Sequence, residues 1–181
     1  MNIKSGFTSI FNGQDLTGWV GDPELWKVED GVLVGRTTSN LGYNDFLRTE
    51  QEYGDFIMHC ETRLIGYNSG IQFRSIVDEE AHMAGYQADM GDGCWGALYE
   101  ERLRGHLVHY NAELIESLLR PNDWNAYEIV AVSDYILLIL NGNVTAELND
   151  PEGAQTGLIG LQLHSGPPQE VAFRDLCIKE L

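Results

Sequence analysis

Basic residues are scarce in this sequence. Lys and Arg number 11 against 28 Asp and Glu, a formal net charge of −17, and only three of the cations are lysines. Affinity for a polyanion comes from releasing its counterions through cationic contacts, so neither nucleic acid nor an anionic membrane surface is expected as a partner. Long apolar runs are missing as well. The longest, Tyr135–Leu140, has six residues; it suits a buried strand and falls far short of the roughly 18 that a membrane-spanning helix needs. Cysteines are few: Cys60, Cys94 and Cys177 are odd in number, widely spaced and form no C-x-x-C pair. A disulfide framework or a structural zinc site is therefore not expected. No G-x-S-x-G elbow, P-loop, G-x-G-x-x-G after a strand, or H-E-x-x-H occurs, so serine-nucleophile hydrolysis and nucleotide chemistry have no support. Met1–Thr8 lacks the charged-then-apolar layout of a signal peptide. The chain as written is expected in the cytoplasm, or in the periplasm or outside the cell if a leader has been removed.

Glycine is abundant, 20 residues against five prolines. Turn signals recur at short intervals: Asn12-Gly13, Asp30-Gly31, Asn68-Ser69-Gly70, Gly91-Asp92-Gly93, Asn141-Gly142 and Gly166-Pro167-Pro168. Asp30-Gly31 and Asn141-Gly142 each divide two apolar runs, the signature of a two-residue hairpin turn with positive φ at both positions. Between the turns, residues alternate with period 2. Phe56, Met58, Cys60, Thr62 and Leu64 oppose Ile57, His59, Glu61 and Arg63. Ile71 and Phe73 oppose Gln72 and Arg74; Tyr86, Ala88 and Met90 oppose Gln87 and Asp89; Ile159, Leu161 and Leu163 oppose Gln162 and His164. Half-buried antiparallel strands produce this pattern. Val171–Ile178 is mixed. Ala112, Ile115, Leu118 and Leu119 follow helical spacing and Pro121 ends the run, which predicts about two turns of helix. The expected fold is all-β: two packed antiparallel sheets with one short helix, in a single domain over residues 1–181.

If one sheet curves, its polar face becomes the floor of a groove. The residues expected there are Glu61, Arg63, Gln72, Arg74, Gln87, Asp89, Gln162 and His164. Planar amides, arginine and carboxylates without lysine are what a sugar site uses, because they make two-point contacts with adjacent hydroxyls. A ladder of Glu–Arg and Gln–Arg pairs across strands is the bland alternative. Trp19 and Trp26 read as core. Trp95, between glycines, is the stacking candidate for a sugar face. His106 and His109 are expected on opposite faces of a strand and so do not form a metal pair. His164 ends a strand beside a loop, a reasonable place for an acid or base.

Phe7–Trp19 (FTSIFNGQDLTGW), Trp26–Leu33 (WKVEDGVL), Tyr53–Arg63 (YGDFIMHCETR), Asn68–Arg74 (NSGIQFR), Gly85–Asp89 (GYQAD), Gly96–Tyr99 (GALY), Asp123–Asn125 (DWN), Leu140–Gly142 (LNG), Gly157–His164 (GLIGLQLH) and Val171–Asp175 (VAFRD) occur in that order. In sequence and spacing the chain resembles the 3-keto-disaccharide hydrolase domain family over residues 5–181. The resemblance implies a concanavalin A-like jelly-roll β-sandwich. Relatives carry Glu then Gln in a GYE-x-Q segment, where this chain has Gln87 and Asp89, so the carboxylate is displaced by two positions along one face. Glu100 and Glu101 are further carboxylates at a possible groove edge.

The resemblance also implies action on glycosides oxidised at C3. The ketone acidifies the C2 hydrogen, a base removes it, and the C1 substituent leaves by elimination; water can then add. Such chemistry needs a base, a cation or donor at the enolate oxygen, and an acid at the leaving oxygen. The expected roles are His164 or Asp89 as base, Arg74 at the oxyanion and Glu61 orienting Arg74 or His164. Gln72, Gln87, Tyr99, Trp95, Asn125 and Gln162 would bind substrate. A divalent metal held by Glu61, Asp89 and His164 is a possible alternative electrophile. The competing reading is a carbohydrate-binding module without catalysis, and a structural domain is the third. A small-molecule carbohydrate is the expected partner, with the protein a monomer or a homodimer through exposed edge strands.

Overall fold

The computed structural model describes residues 6–79 and 82–181. Its strands are β1 (Thr8–Ser9), β2 (Trp19–Val20), β3 (Trp26–Glu29), β4 (Val32–Thr37), β5 (Asp45–Tyr53), β6 (Phe56–Ile65), β7 (Asn68–Val77), β8 (Met83–Gly91), β9 (Leu98–Glu101), β10 (Gly105–Val108), β11 (Asn125–Val132), β12 (Tyr135–Leu140), β13 (Asn143–Asn149), β14 (Gly157–Leu163) and β15 (Gln169–Glu180); helix α1 (Ala112–Leu118) lies between β10 and β11. They form two antiparallel sheets. The first runs β13-β12-β11-β6-β15-β4-β3, with β1 also on β15; the second runs β10-β9-β8-β7-β14-β5-β2. This is a jelly-roll β-sandwich with one helix.

Alternation places the core between the sheets. Phe56, Met58, Cys60, Thr62 and Leu64 of β6 are buried, and the intervening Ile57, His59, Glu61 and Arg63 are partly exposed. The second sheet contributes Leu47, Ile71, Phe73, Tyr86 and Leu161. Phe56 meets Phe73 edge-on at 6.3 Å across the interface, and Phe73 stacks on Tyr86 at 5.4 Å. Each such side chain contributes roughly 1.5–3 kcal/mol by burial. Asp30-Gly31 joins β3 to β4 and Asn141-Gly142 joins β12 to β13, with positive φ at all four residues, as these dipeptides predict. Asn111 caps α1 by accepting a hydrogen bond from the Leu114 N–H at 3.1 Å. The apolar run Tyr135–Leu140 is a strand, but only Ile136, Leu138 and Leu140 are buried.

Two bulges change the parity that simple alternation assigns. In β15 the register slips between Arg174 and Cys177, with Asp175 at φ 52°. Val171 and Phe173 face the core before the slip, Leu176 and Ile178 after it, which accounts for the mixed pattern. In β7 the register against β8 slips between Phe73 and Ile76, with Arg74 at φ 46°. Arg74 therefore does not continue the face that Gln72 belongs to. Its guanidinium is buried, 1% exposed, and donates to the carbonyls of Gly54 (3.1 Å), Ser133 (2.7 Å) and Ala154 (3.3 Å) and to Asp55 Oδ1 (2.8 Å). The expectation that Arg74 faces an enolate is corrected: all its donors point into three loops.

Arg74 is thus a brace. Replacing it by alanine removes the donor shared by those carbonyls and Asp55, which is 40% exposed, and the loss of such charge-assisted hydrogen bonds costs roughly 1–3 kcal/mol. A urea titration of Arg74→Ala is expected to show a lower unfolding midpoint, corresponding to that loss of unfolding free energy; an unchanged midpoint would show that the loops hold without it.

Candidate functional site

The outer face of the second sheet is concave enough to enclose a cavity of about 290 Å³, lined by Asn44, Asn68, Gln87, Asp89, Asp92, Cys94, Tyr99, Glu101, His106 and His164. Strand register explains the convergence. Gln72, Gln87 and Tyr99 are neighbours across β7, β8 and β9. One row along, Asp89 pairs with Gly70, and continuing the β7–β14 register places Gln162 beside Gly70. The next row holds Gly91, Asn68 and, at the end of β14, His164.

The amides form a directed chain. Gln72 Nε2 donates to Gln87 Oε1 at 3.2 Å, and Gln87 Nε2 donates to Asp89 Oδ1 at 2.7 Å. Gly70 makes this possible: a Cβ there would lie 2.6 Å from Gln87 Cδ, so a side chain at position 70 would push Gln87 off the sheet. Gln72 Oε1 and both amide atoms of Gln162 are buried without a hydrogen-bond partner. Such groups cost roughly 1–3 kcal/mol each when unsatisfied, so this floor has unused hydrogen-bonding capacity.

Asp89 is 5% exposed. Burial, reinforced by the nearby Glu101 and opposed by the Gln87 hydrogen bond, raises its pKa to about 7. Glu101 is also raised by burial, with His164 opposing the shift. Tyr99 is raised by burial and by the Glu101 and Asp89 charges. The backbone of Asp89 is fixed by bonds with Ala97 and Gly96, each 3.1 Å, and its carbonyl accepts from Tyr127 Oη at 3.2 Å. His164 Nδ1 lies 2.6 Å from the Ser165 carbonyl oxygen. With Nδ1–H donating there, Nε2 is the nitrogen left for chemistry. Tyr67, 52% exposed, meets His164 edge-on at 5.5 Å. Cys94 receives a weak bond from Asn68 Nδ2 at 3.5 Å, and burial raises its pKa to about 12, so it stays a thiol.

Of the expected site residues, Gln87, Asp89, Tyr99 and His164 line this cavity, and Gln72 and Gln162 lie in its floor rows. Four do not belong. Arg74 is in the loop brace described above. Glu61 and Arg63 leave the first sheet on its outer face, where Glu61 accepts from Arg174 Nε at 2.6 Å and Trp124 lies under Arg174 (4.1 Å) and Arg63 (5.2 Å). A metal set of Glu61, Asp89 and His164 therefore cannot form, and among the described residues no group of three or more His, Cys, Asp or Glu is arranged to hold a metal ion. Asn125 is buried and fully engaged, bonding the Arg120 N–H and carbonyl, the Asp123 carbonyl and Asn141 Nδ2. Trp95 is 7% exposed, packed in the core, and its remaining surface faces a different cavity beside α1. His106 and His109 are not on opposite faces: β10 ends between them after a register shift, and their rings stack at 4.9 Å, with His106 edge-on to Tyr99 at 5.0 Å. Asn44, Asn68 and His106 were not anticipated. Asn68 shares the parity of Gln72, which was the available signal; Asn44 lies in a loop and carries none.

The sequence model of the 3-keto-alpha-glucoside-1,2-lyase-like domain matches residues 6–179. No curated protein matches the chain by sequence. Among solved structures, a candidate glycosyl hydrolase from Parabacteroides distasonis superposes with a TM-score of 0.74 at 23% identity, covering 97% of this chain and 94% of that one. A carbohydrate-binding module from Bacillus subtilis gives 0.68 at 16% identity, over 90% and 96%. A non-specific endo-beta-1,3(4)-glucanase of family GH16 gives 0.62 at 11% identity, over 100% and 94%. At these identities the structures show a shared fold, the concanavalin A-like jelly roll.

The raised Asp89 pKa has a consequence for stability. Between the carboxylate's ordinary value of 3.8 and about 7, the native state holds a proton that the unfolded chain has released. Its contribution is complete below about pH 4 and is lost as pH rises through 7. Asp89→Asn removes this dependence. In thermal melts from pH 4 to 8 the variant is expected to gain on the parent protein as pH rises, by a few kcal/mol at most. Parallel curves would show that Asp89 titrates normally.

Proposed function

Because the chain belongs to the 3-keto-alpha-glucoside-1,2-lyase-like family, we propose that it cleaves glycosides carrying a ketone at C3 by elimination across C1 and C2. Family and fold support a carbohydrate-related function. The observation that carries the finer reading is that Asp89, Tyr99 and His164, delivered by β8, β9 and the end of β14, line one cavity.

The reaction follows from these groups. The C3 ketone lowers the acidity barrier at C2. The Asp89 carboxylate, half ionised near pH 7, takes the C2 proton; a base with its pKa near the working pH is best matched to such a transfer. The electrons move to the C3 oxygen, where Tyr99 and the Asn68 amide are the available hydrogen-bond donors. As the enolate collapses the C1–O bond breaks, and the leaving oxygen takes the Nε2 proton of His164 in its doubly protonated form, which returns to the neutral ring with Nδ1–H on the Ser165 carbonyl. The product is an enone with a C1–C2 double bond; addition of water across it gives net hydrolysis. Gln87 anchors Asp89, and Gln72 and Gln162 offer their spare amide groups to ring hydroxyls.

A second reading has its own observation. Among the described residues no lysine or arginine lines the cavity, so the enolate has no guanidinium or ammonium partner among them. The amide-rich floor alone serves a carbohydrate-binding module, and sandwich folds host both roles.

Turnover of a 3-keto-glucoside, followed by enone absorbance and release of the aglycone, separates the two. The expected result is product formation whose kcat/KM rises with pH through an inflection near 7. Asp89→Asn and His164→Ala are each expected to lose about 10²–10⁴-fold, with the inflection gone in Asp89→Asn. Saturable binding without product would support the module and overturn the enzyme.

A further inference from the structure

Where β14 ends, the second sheet is held from the first. The paired register of β7 with β14 runs as far as Ile71 and Leu161. Beyond it, side chains join the two strands. Ser69 Oγ donates to the Gln162 carbonyl at 2.6 Å. One row further, where Asn68 and His164 stand, the link is the side-chain amide of Gln169. Gln169 opens β15 of the first sheet, opposite Thr37 of β4. It shares the parity of Val171 and Phe173, so its side chain points between the sheets, and it is 5% exposed.

The amide makes three bonds. Oε1 accepts from the Tyr67 N–H at 3.3 Å and from the Asn68 N–H at 3.0 Å, and Nε2 donates to the His164 carbonyl at 2.8 Å. N–H and C=O groups on facing strands ordinarily bond one another. Here an amide stands between them, and it sets the spacing of β7 and β14 at the row that carries Asn68 and His164. Gly66 permits this approach. Its φ is +138°, and a Cβ there would lie 2.5 Å from Gln169 Cβ, so a larger residue would drive the β6–β7 turn off Gln169. The bond to the His164 carbonyl also closes the loop over residues 165–168. Within that loop the Ser165 N–H donates to Asn44 Oδ1 at 2.9 Å, and Gly166 exchanges two backbone bonds with Leu41, at 2.8 and 2.9 Å. The Ser165 carbonyl, 2.6 Å from His164 Nδ1, is thereby fixed, and with it the ring orientation that leaves Nε2 for chemistry.

Resting on the elimination reading above, we infer that Gln169 is a positioning residue for that reaction. From between the sheets it sets the separation of the enolate donor, Asn68, from the leaving-group acid, His164, and it holds the His164 ring in the tautomer with Nδ1–H on Ser165. Both effects pass through other residues, so its loss misplaces the acid without removing it.

The test varies the leaving group on the full chain. A 4-nitrophenyl 3-keto-glucoside releases an anion that is stable near neutrality and needs no acid; the methyl 3-keto-glucoside needs one. Gln169→Met keeps the length of the side chain and removes its three bonds. Its kcat/KM is expected to fall on both substrates, and about tenfold further on the methyl glycoside, part of the range that a general acid supplies. In a His164→Ala background the same change is expected to leave the methyl-to-nitrophenyl ratio unmoved, since the acid is already gone. Gln169→Glu, whose carboxylate the Tyr67 and Asn68 N–H groups favour but which loses the donor to the His164 carbonyl, is expected to shift the ratio the same way and serves if Gln169→Met does not fold. Ser69→Ala removes another buried hydrogen bond at these strand ends and is expected to lower the unfolding midpoint without moving the ratio. The ring ¹⁵N signals of His164, assigned by difference from His164→Ala, give a readout without substrate: the parent ring carries Nδ1–H, and Gln169→Met spreads the proton over both nitrogens. Turnover of both substrates by the parent, with a ratio unmoved by Gln169→Met, overturns the positioning role and leaves the elimination standing. A redistributed tautomer in Gln169→Met, with no turnover by the parent, upholds the hold on the His164 ring and sinks the elimination. An unmoved tautomer together with no turnover sinks both.

Discussion

The hydrogen bond from Gln87 to Asp89 is the contact on which the cavity depends. It fixes the amide orientation of Gln87, which fixes that of Gln72, and so decides which polar atoms of the floor remain unused. It also opposes the rise in the Asp89 pKa that burial imposes. The bond exists because Gly70 leaves room for Gln87 to lie across β7. Strands β7, β8 and β14 are buried on both faces over most of their length. A central sheet of this kind is ordinarily filled with apolar residues on both sides. Here one side carries amides and a carboxyl group, and a polar layer that is only partly satisfied costs stability. A ligand with many hydroxyls supplies what the layer lacks.

The chain spends its few cations away from this layer. Arg74 ties three loops together from inside the molecule. Arg104 binds Glu100 and Asp150, and Asp150 accepts a hydrogen bond from Tyr86, so the β9–β10 hairpin is anchored to the end of β13. The salt bridge with Arg104 holds Asp150 below the ordinary carboxylate range. Arg36, Arg63 and Arg174 pair with Glu29, Glu170 and Glu61 on the outer face of the first sheet. Among the described residues the cavity lining is therefore left with carboxylates and without lysine or arginine. Burial makes Asp89 and Glu101 both retain protons to higher pH than free carboxylates, Glu101 against the opposing charges of His164 and Arg102. On the proposed reaction, the resource this cavity offers is proton transfer near neutrality, with the Tyr99 hydroxyl and the Asn68 amide as donors to developing negative charge.

The fold was legible because period-2 patterning is a short-range signal. β6 alternates without interruption, and each of its buried residues is one that the pattern assigns inward. Asp-Gly and Asn-Gly mark their hairpins for the same reason: two adjacent residues carry the whole turn. The site was legible only where alternation ran unbroken and both strands shared a sheet. Gln87, Asp89, Gln162 and His164 satisfy that condition. Arg74 fails it, since a bulge two residues after Gln72 reverses the parity, and nothing in Phe73-Arg74-Ser75 announces a bulge. Glu61 fails the other half: its strand alternates well, but parity along a strand does not say which sheet the strand joins. Asn125 and Trp95 fail because alternation along a strand does not say whether an amide or ring is already taken: Arg120, Asp123 and Asn141 occupy the Asn125 amide, and Trp95 is packed in the core.

The exchange at positions 87 and 89 can now be weighed. The resemblance implies Glu then Gln at these places, where this chain carries Gln then Asp. Both positions face the same side of β8, and their side chains touch. Exchanging acid and amide therefore keeps one of each in contact and preserves the floor's hydrogen-bonding inventory, less one methylene. What moves is the charge, by two residues along the strand, roughly 7 Å, away from Tyr99's row and toward that of His164. On the proposed elimination reading, a base shifted this way meets the sugar nearer its C1 end, one row from His164, and an amide at 87 beside Tyr99 faces the far side of the ring, where hydroxyl recognition needs a neutral donor and acceptor more than a charge.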